Sequence, residues 1–250
     1  EAIEILSSIN ETKLGEVQKL RCAFYRSLVI SDEAESKLEG LLTLIRTAEH
    51  EFYDAQLNGE ILNQVATLYS VPEINKPHKS IDYILIRIGE IIQQEVKSLD
   101  EFIEKGNLAW NGLHHLQKKN LCFSANAYGR ALFSGQIFEE ALKVFEFSLK
   151  INQDQSDDRG ISQAYNYIGV IQLELKRLEA SESTYVSFFE WAYYIHNITS
   201  LGFAYEGLIK VYKAMGKNEG LVEYTNNFND ISKGKEDRLI NKKEIDSLLE

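Results

Sequence analysis

The sequence predicts an all-α protein built from antiparallel helix pairs, and three observations favour this class. Apolar residues recur at steps of three and four along most of the chain, which places them on one side of a helix. Only 2 of the 250 residues are proline, whereas the usual share is about 5% and proline disrupts helix interiors. No stretch shows the sustained apolar–polar alternation of a half-buried strand.

The first half of the chain contains three such apolar stripes, at residues 14–28, 38–55 and 81–96. Capping boxes, in which side chains satisfy the free amides of a helix start, are expected at residues 32–35 and 98–101. Ser80 is expected to cap the third helix, after a loop that holds both prolines. The pattern indicates a helical bundle whose regularity is lower than that of the second half.

The second half repeats one helix–turn–helix unit. Gly129 and Gly169 lie forty residues apart on the leading helix of two units, and Ala141 and Ser181 lie forty residues apart on the second helix. Small residues at these positions allow close helix approach. A third unit follows, with a leading helix from Ala204. Turns are predicted near residues 135–138, 176–177 and 216–218.

This arrangement resembles the tetratricopeptide repeat (TPR), clearly over residues 121–228 and faintly over 59–95. The period near 40 exceeds the usual 34, so the extra residues, such as 153–159, indicate longer helices or linkers. The chain also lacks the terminal proline of each repeat and a small residue at Leu221. The resemblance implies a right-handed α-α superhelix of stacked hairpins over residues 59–250, closed by a capping helix at 240–249, with residues 1–58 as a less regular N-terminal bundle.

Catalytic and cofactor motifs are absent from the sequence. It has no GxGxxG, no GxxxxGK followed by Ser or Thr, and no GxSxG. His114 and His115 form the only histidine cluster, and neighbours on a helix point about 100° apart, so they cannot easily share a metal. Cys22 and Cys122, with no CxxC, are expected to be reduced and buried. We therefore expect no enzyme, no catalytic residue, no cofactor and no metal.

The charge and hydropathy patterns restrict the partners. A net charge of -11 argues against broad contact with nucleic acid, which requires clustered Lys and Arg. No run approaches 18 apolar residues and no signal-peptide pattern is visible, so we expect a cytoplasmic chain that does not contact the membrane. A protein or a short peptide is the expected partner.

The resemblance also implies a binding groove, because the first helix of each TPR hairpin lines the concave surface. An asparagine side chain both donates and accepts hydrogen bonds, so a column of asparagines can hold the main chain of an extended peptide. This column is similar to that of peptide-binding TPR proteins, including the peptide-pheromone receptors of Gram-positive bacteria. Alternatively, each asparagine bonds a neighbouring backbone or faces solvent. The expected groove residues are Asn63, Thr67, Asn126, Arg130, Asn166, Glu206, Lys210 and Lys213.

The aromatic residues near position 190 offer a second candidate surface. Tyr185, Phe188, Trp191 and Tyr194 crowd one predicted helix, where they either pack against the next helix or form an interface, for example in a homodimer. The function that we expect is a non-catalytic scaffold that binds a protein or peptide. The alternatives are a peptide-responsive sensor domain of a larger regulatory protein and a structural subunit that oligomerises.

Overall fold

The computed structural model describes residues 16–29, 33–51, 61, 64–65 and 77–217. All regular secondary structure in these residues is helical, which confirms the predicted all-α class. The helices with described bounds are α1 (Glu16–Val29), α2 (Ala34–Glu51), α3 (Pro77–Ile92), α4 (Leu99–Trp110), α5 (His115–Ser134), α6 (Phe138–Asp154), α7 (Asp158–Glu174), α8 (Leu178–Tyr194) and α9 (Ile198–Met215).

The chain divides into two compact units, residues 1–160 (unit 1) and 161–250 (unit 2). The predicted boundary between residues 58 and 59 lies outside the described residues, and so does the predicted capping helix at 240–249. Two sequence-based predictions of domain organisation therefore remain predictions.

Unit 1 is built around the hairpin of α5 and α6. Helix α3 contacts α4 and α5, α4 contacts α6, and α1 contacts α2. The ring of Phe102 on α4 meets two other rings edge-on, that of Tyr128 on α5 at 5.8 Å and that of Phe147 on α6 at 5.0 Å between centroids. Phe102 is fully buried. Edge-to-face contacts of this kind add to the free energy that burial of the rings contributes, so Phe102 fastens α4 to the hairpin.

Unit 2 packs α7, α8 and α9 around one apolar cluster. Its fully buried centre includes Phe188 and Ala192 on α8 and Ala204 and Val211 on α9. Tyr165 on α7 stacks on Phe188 with 5.5 Å between ring centroids. The alternation of large rings with alanines lets the helices interdigitate closely.

Small residues permit close helix approach at the predicted positions. A methyl group placed on Gly129 would lie 2.8 Å from the ring of Phe145, and one placed on Gly169 would lie 2.5 Å from the ring of Tyr185. Both distances are shorter than real Cβ contacts. Ala141 and Ser181 are fully buried. The prediction of tight packing at these forty-residue intervals is confirmed.

The four turns that join α5, α6, α7, α8 and α9 recur every twenty residues. Gln136, Ser156, Lys176 and His196 each adopt a positive φ of 51–61°. The amide of each donates to the carbonyl three residues earlier at 2.9–3.1 Å, and the following amide donates to the carbonyl five residues earlier at 2.8–3.0 Å. This is the Schellman motif, which satisfies the last carbonyls of a helix. Gly135 has a φ of -77°, so the left-handed residue of its turn is Gln136.

Ser156→Gly is expected to raise the free energy of unfolding by about 0.5–1 kcal/mol, because a non-glycine residue in the left-handed region costs about 1–2 kcal/mol and glycine returns part of that through its larger loss of entropy on folding. Gln155 is the matched control, since its φ is -89° and glycine there gives only the entropy loss. Urea denaturation followed by circular dichroism measures both. Equal destabilisation by the two glycines would contradict the prediction.

Three helices begin earlier than the sequence pattern predicts, and one of them is α9, which begins at Ile198 rather than at Ala204. Helix α3 begins at Pro77 rather than at Ile81 after a Ser80 cap, because proline needs no amide partner in the first turn and its fixed φ suits a helix start. Helix α5 begins at His115, ten residues before the Ala125 that the repeat pattern suggested. There the exposed polar residues of the first turns hide the helical period.

The capping box at the start of α4 is confirmed in one half. The hydroxyl of Ser98 accepts a hydrogen bond from the amide of Glu101 at 3.3 Å. The Glu101 carboxylate accepts from the amide of Lys97 at 3.2 Å rather than from Ser98.

The extra residues of the repeat, 153–159, lengthen the helices on both sides of a short turn and do not form a linker.

Candidate functional site

The leading helices of unit 2, α7 and α9, lie side by side. The hydroxyl of Ser200 on α9 donates to the hydroxyl oxygen of Ser162 on α7 at 2.9 Å. Further along both helices, the buried ring of Tyr185 on α8 lies against Gly169 of α7 and Gly207 of α9. The sides of α7 and α9 turned away from this ring therefore form neighbouring surfaces.

On α7 this surface carries an amide-rich stripe. Gln163, Asn166 and Val170 occupy positions i, i+3 and i+7, which share one helix face. All three are half-buried, so their side chains are accessible while their backbone is held in the unit. We call these residues the α7 stripe. Asn166 offers both a donor and an acceptor.

On α9 the corresponding surface carries an exposed aromatic ring and three charged groups. Phe203, Glu206, Lys210 and Lys213 share one face of the helix, and we call them the α9 stripe. Phe203 is 44% exposed, although large aromatic side chains generally bury more of their surface. Lys210 Nζ lies 2.6 Å from Glu206 Oε1, and both side chains are about half-exposed. Lys213, in the last turn of α9, also suits the negative end of the helix dipole.

The sequence pattern missed Phe203. The residue lies three positions before Glu206 and seven before Lys210, so the same helical spacing that selected the charged residues would have selected it too. A phenylalanine is more often a core residue than a surface residue, and only the packing of α9 shows that Phe203 lies outside the core.

In unit 1, Asn126 lies in the interior and not at an open surface. It is 2% exposed, and its Oδ1 accepts a hydrogen bond from the hydroxyl of Ser148 on α6 at 2.6 Å. The Nδ2 of Asn152 donates to the hydroxyl and to the carbonyl of Ser148, at 2.9 and 2.8 Å. These side chains form a buried chain of hydrogen bonds that joins α5 to α6. Arg130, one turn further along α5, is half-buried.

Repeat equivalence therefore does not bring the predicted groove residues into one environment. Asn126 and Asn166 are forty residues apart in sequence, yet the first is buried and the second half-buried. Glu206, Lys210 and Lys213 share the α9 stripe. Asn63 and Thr67 lie outside the described residues.

The aromatic residues predicted as a candidate interface separate into core and surface. Tyr185 and Phe188 belong to the buried cluster of unit 2, so neither is available for an interface in this structure. Trp191 is half-buried and packs against that cluster. Tyr194 is 83% exposed and retains the predicted interface position.

Buried groups with shifted pKa values are held in their neutral forms. Burial, together with the Asp157 and Asp154 carboxylates, raises the pKa of the Cys122 thiol well above its ordinary range. Burial raises the pKa of Tyr128 to about 12. Burial and the neighbouring Glu206 carboxylate raise the pKa of Tyr185. A nucleophilic thiol or phenol needs a lowered pKa, so these shifts favour structural roles.

The predicted burial of the two thiols is partly corrected. Both cysteines are free, but only Cys122 is buried while Cys22 is half-buried. His114 and His115 are both exposed. Within the described ranges, no three His, Cys, Asp or Glu side chains converge on a point where they could hold a metal ion. None of the described helices is long and apolar enough to cross a membrane.

Comparison with solved structures shows the fold. The chain is similar to BtubC (BKLC) from P. vanneervenii, with a TM-score of 0.54 and 16% identity over 88% of this chain and 80% of that one. It is also similar to a kinesin light chain-like protein of nearly identical TPR-like repeats from Podosopora anserina, with a TM-score of 0.56 and 11% identity over 89% and 99% of the two chains. A variant of the latter protein gives a TM-score of 0.57.

These similarities confirm the predicted TPR-like helical-repeat fold. The sequence itself matches no protein-family model and no curated protein. The identities of 11–16% support a statement about fold alone.

Proposed function

We propose that this chain is a non-catalytic scaffold that binds a segment of another protein on the α7 and α9 stripes of unit 2. The observation that carries the proposal is the composition of these two stripes. An exposed phenylalanine, accessible amides and two lysines lie on neighbouring helices of a fold whose leading helices are stacked side by side.

Each part of the surface suits one feature of a peptide segment. The Asn166 amide can donate to and accept from a peptide backbone whatever its sequence. Phe203 offers a partly exposed ring for an apolar side chain. Lys210 and Lys213 can pair with an acidic side chain or a terminal carboxylate. Aromatic residues are enriched at the centres of protein interfaces and charged residues lie mainly at their rims, so Phe203 suits the centre of a contact and the charged residues of the α9 stripe suit its rim.

The Glu206–Lys210 ion pair supplies selectivity. At 2.6 Å it neutralises part of the lysine charge in the free protein, so a ligand carboxylate competes with Glu206 for the same ammonium group. A neutral ligand gains nothing from displacing this pair, and a cationic ligand meets the net positive charge of two lysines and one glutamate. The surface therefore favours acidic segments.

Selection from a phage library of random twelve-residue peptides tests the proposal. We expect the immobilised chain to enrich peptides with acidic residues. Their affinity, measured by isothermal titration calorimetry with the synthetic peptides, should fall at least about tenfold, or about 1.4 kcal/mol, in Lys210→Glu/Lys213→Glu.

The matched control is Lys119→Glu/Lys143→Glu, which makes the same change in net charge at two exposed lysines of unit 1. It should alter the affinity by less than about twofold, because neither lysine belongs to the α7 stripe or the α9 stripe. Enrichment of no peptide, or equal losses in the two double variants, would overturn the proposal.

A second candidate function, self-association, is favoured by Tyr194. An aromatic ring that is 83% exposed on a folded surface is typical of contact with another protein. Light scattering across a range of concentrations distinguishes the two functions, because a scaffold that binds peptides on unit 2 does not need to dimerise.

A peptide-responsive sensor would use the same stripes, and the complete reading frame would then encode an effector domain. The cytoplasmic location remains a sequence-based prediction.

A further inference from the structure

We propose that Tyr185 is a positioning residue that sets the separation of the α7 and α9 stripes and so determines which segments the surface accepts. This inference rests on the proposed function. It assigns a specificity role to a residue that contacts neither solvent nor ligand, since Tyr185 is 1% exposed.

The ring of Tyr185 lies between the backbones of α7 and α9. A methyl group on Gly169 of α7 would lie 2.5 Å from Cε2 of Tyr185, and one on Gly207 of α9 would lie even nearer to Cε1. Opposite edges of one ring therefore touch the bare backbone of two helices. Neither glycine has a side chain that could move aside. The width of the Tyr185 ring therefore determines how closely the two backbones approach each other.

Helices α7 and α9 are tied at two levels. Ser162 and Ser200, which share a hydrogen bond of 2.9 Å, each lie seven residues before Gly169 and Gly207 respectively. Seven residues of helix span about 10 Å. The serine pair therefore fixes the two helices at one level, and the Tyr185 ring fixes them at a second level about 10 Å away.

The level of the Tyr185 ring is also the level of the two stripes. Asn166 and Val170 lie within one turn of Gly169, while Glu206 and Lys210 lie within one turn of Gly207. The hydroxyl of Tyr185 donates to the carbonyl of Asn166 at 3.4 Å. A change in the size of the side chain at 185 must therefore move the amide of one stripe relative to the charges of the other.

The α8 helix also holds the backbone of α7 at this level. The hydroxyl of Ser181 donates to the carbonyl of Gly169 at 2.8 Å, and the hydroxyl of Thr184 donates to Oε1 of Gln172 at 2.7 Å. These bonds hold α7 on α8, and the buried apolar cluster holds α9 on α8. A smaller residue at 185 is therefore expected to change the spacing between α7 and α9 while both helices stay packed on α8.

A size swap tests the inference with the full chain. In Gly169→Ala/Tyr185→Leu/Gly207→Ala, two methyl groups occupy part of the space that the ring leaves. We expect this variant to keep its helical circular dichroism, and to bind the peptides selected on the wild-type chain at least about tenfold more weakly. A new selection on it should enrich a different set of sequences. Tyr185→Phe, which keeps the ring, should bind the original peptides within about twofold.

The inference is overturned if the folded swap variant binds the original peptides as the wild-type chain does. Should the swap variant fail to fold, Tyr185→Leu against Phe188→Leu decides, since Phe188 is equally buried but does not separate the two glycines. Equal losses of affinity in these two variants would show that Tyr185 acts only as an ordinary packing residue of the core. Failure of the proposed function is distinct, because peptides would then be insensitive to Lys210→Glu/Lys213→Glu.

Discussion

Phe188→Ala is expected to lower the free energy of unfolding by about 3–5 kcal/mol, the usual effect of removing a fully buried phenylalanine. Phe188 is 0% exposed, and its ring stacks on Tyr165 at 5.5 Å and on Trp191 at 6.1 Å. The substitution removes the apolar surface that these rings bury against it. It also leaves a cavity that the surrounding helices cannot fully close, and both effects lower stability in the same direction.

Tyr194→Ala is the matched control for Phe188→Ala. It removes an aromatic ring from the same helix at a site that is 83% exposed, so the free energy of unfolding should change by less than about 0.5 kcal/mol. Urea denaturation followed by tryptophan fluorescence and circular dichroism measures both variants. Comparable losses of stability in the two variants would mean that the packing of α8 is not the one described above. The aromatic residues of α8 would then again be candidates for one continuous interface.

The helical-repeat architecture could largely be predicted from the sequence because it depends on local patterns. The apolar period of a helix is visible along one segment, without knowledge of its neighbours. The small residues at Gly129 and Gly169 were visible as well, because a repeat places its close contacts at a fixed interval. Both features survive in the structure, where each glycine touches an aromatic ring of the following helix.

The sequence predicts the turns near residues 135–138 and 176–177, but it does not predict the turns at Ser156 and His196. Ser156, Lys176 and His196 carry the left-handed conformation without glycine. Packing of the two flanking helices outweighs the backbone strain of about 1–2 kcal/mol at each position. A local sequence pattern does not show which packing offsets the strain. The left-handed conformation of these three residues therefore could not have been predicted from the sequence.

The candidate site was harder to predict because it depends on neighbouring helices. Repeat equivalence placed Asn126 and Asn166 in one column, but the environment of Asn126 is set by Ser148 and Asn152 on α6. Those two residues follow Ala141 and Phe145 at helical spacing and interrupt an otherwise apolar face. Polar residues on such a face are a signal that a buried polar partner exists, and this signal could have assigned Asn126 to the interior.

Asn126→Ala and Asn166→Ala are therefore expected to affect different properties, the first the stability of the chain and the second its affinity for peptides. Without Asn126 the buried hydroxyl of Ser148 loses its acceptor, and an unsatisfied buried group of this kind lowers the free energy of unfolding by about 1–3 kcal/mol. Asn166 is half-buried, so Asn166→Ala should change stability by less than about 1 kcal/mol. On the proposed function it should instead weaken selected peptides by about 1–3 kcal/mol.

The double variant Asn126→Ala/Ser148→Ala separates hydrogen bonding from packing. Removing both partners leaves no orphaned hydroxyl, and Asn152 Nδ2 keeps the Ser148 carbonyl as its acceptor. The double variant should thus be less destabilised than the sum of its single variants, by about 0.5–2 kcal/mol. Additive losses in urea denaturation would show that Asn126 acts through packing alone. If calorimetry instead found that Asn126→Ala weakens selected peptides in a chain of unchanged stability, Asn126 would belong to a binding surface, and the division between a structural and a binding asparagine would be wrong.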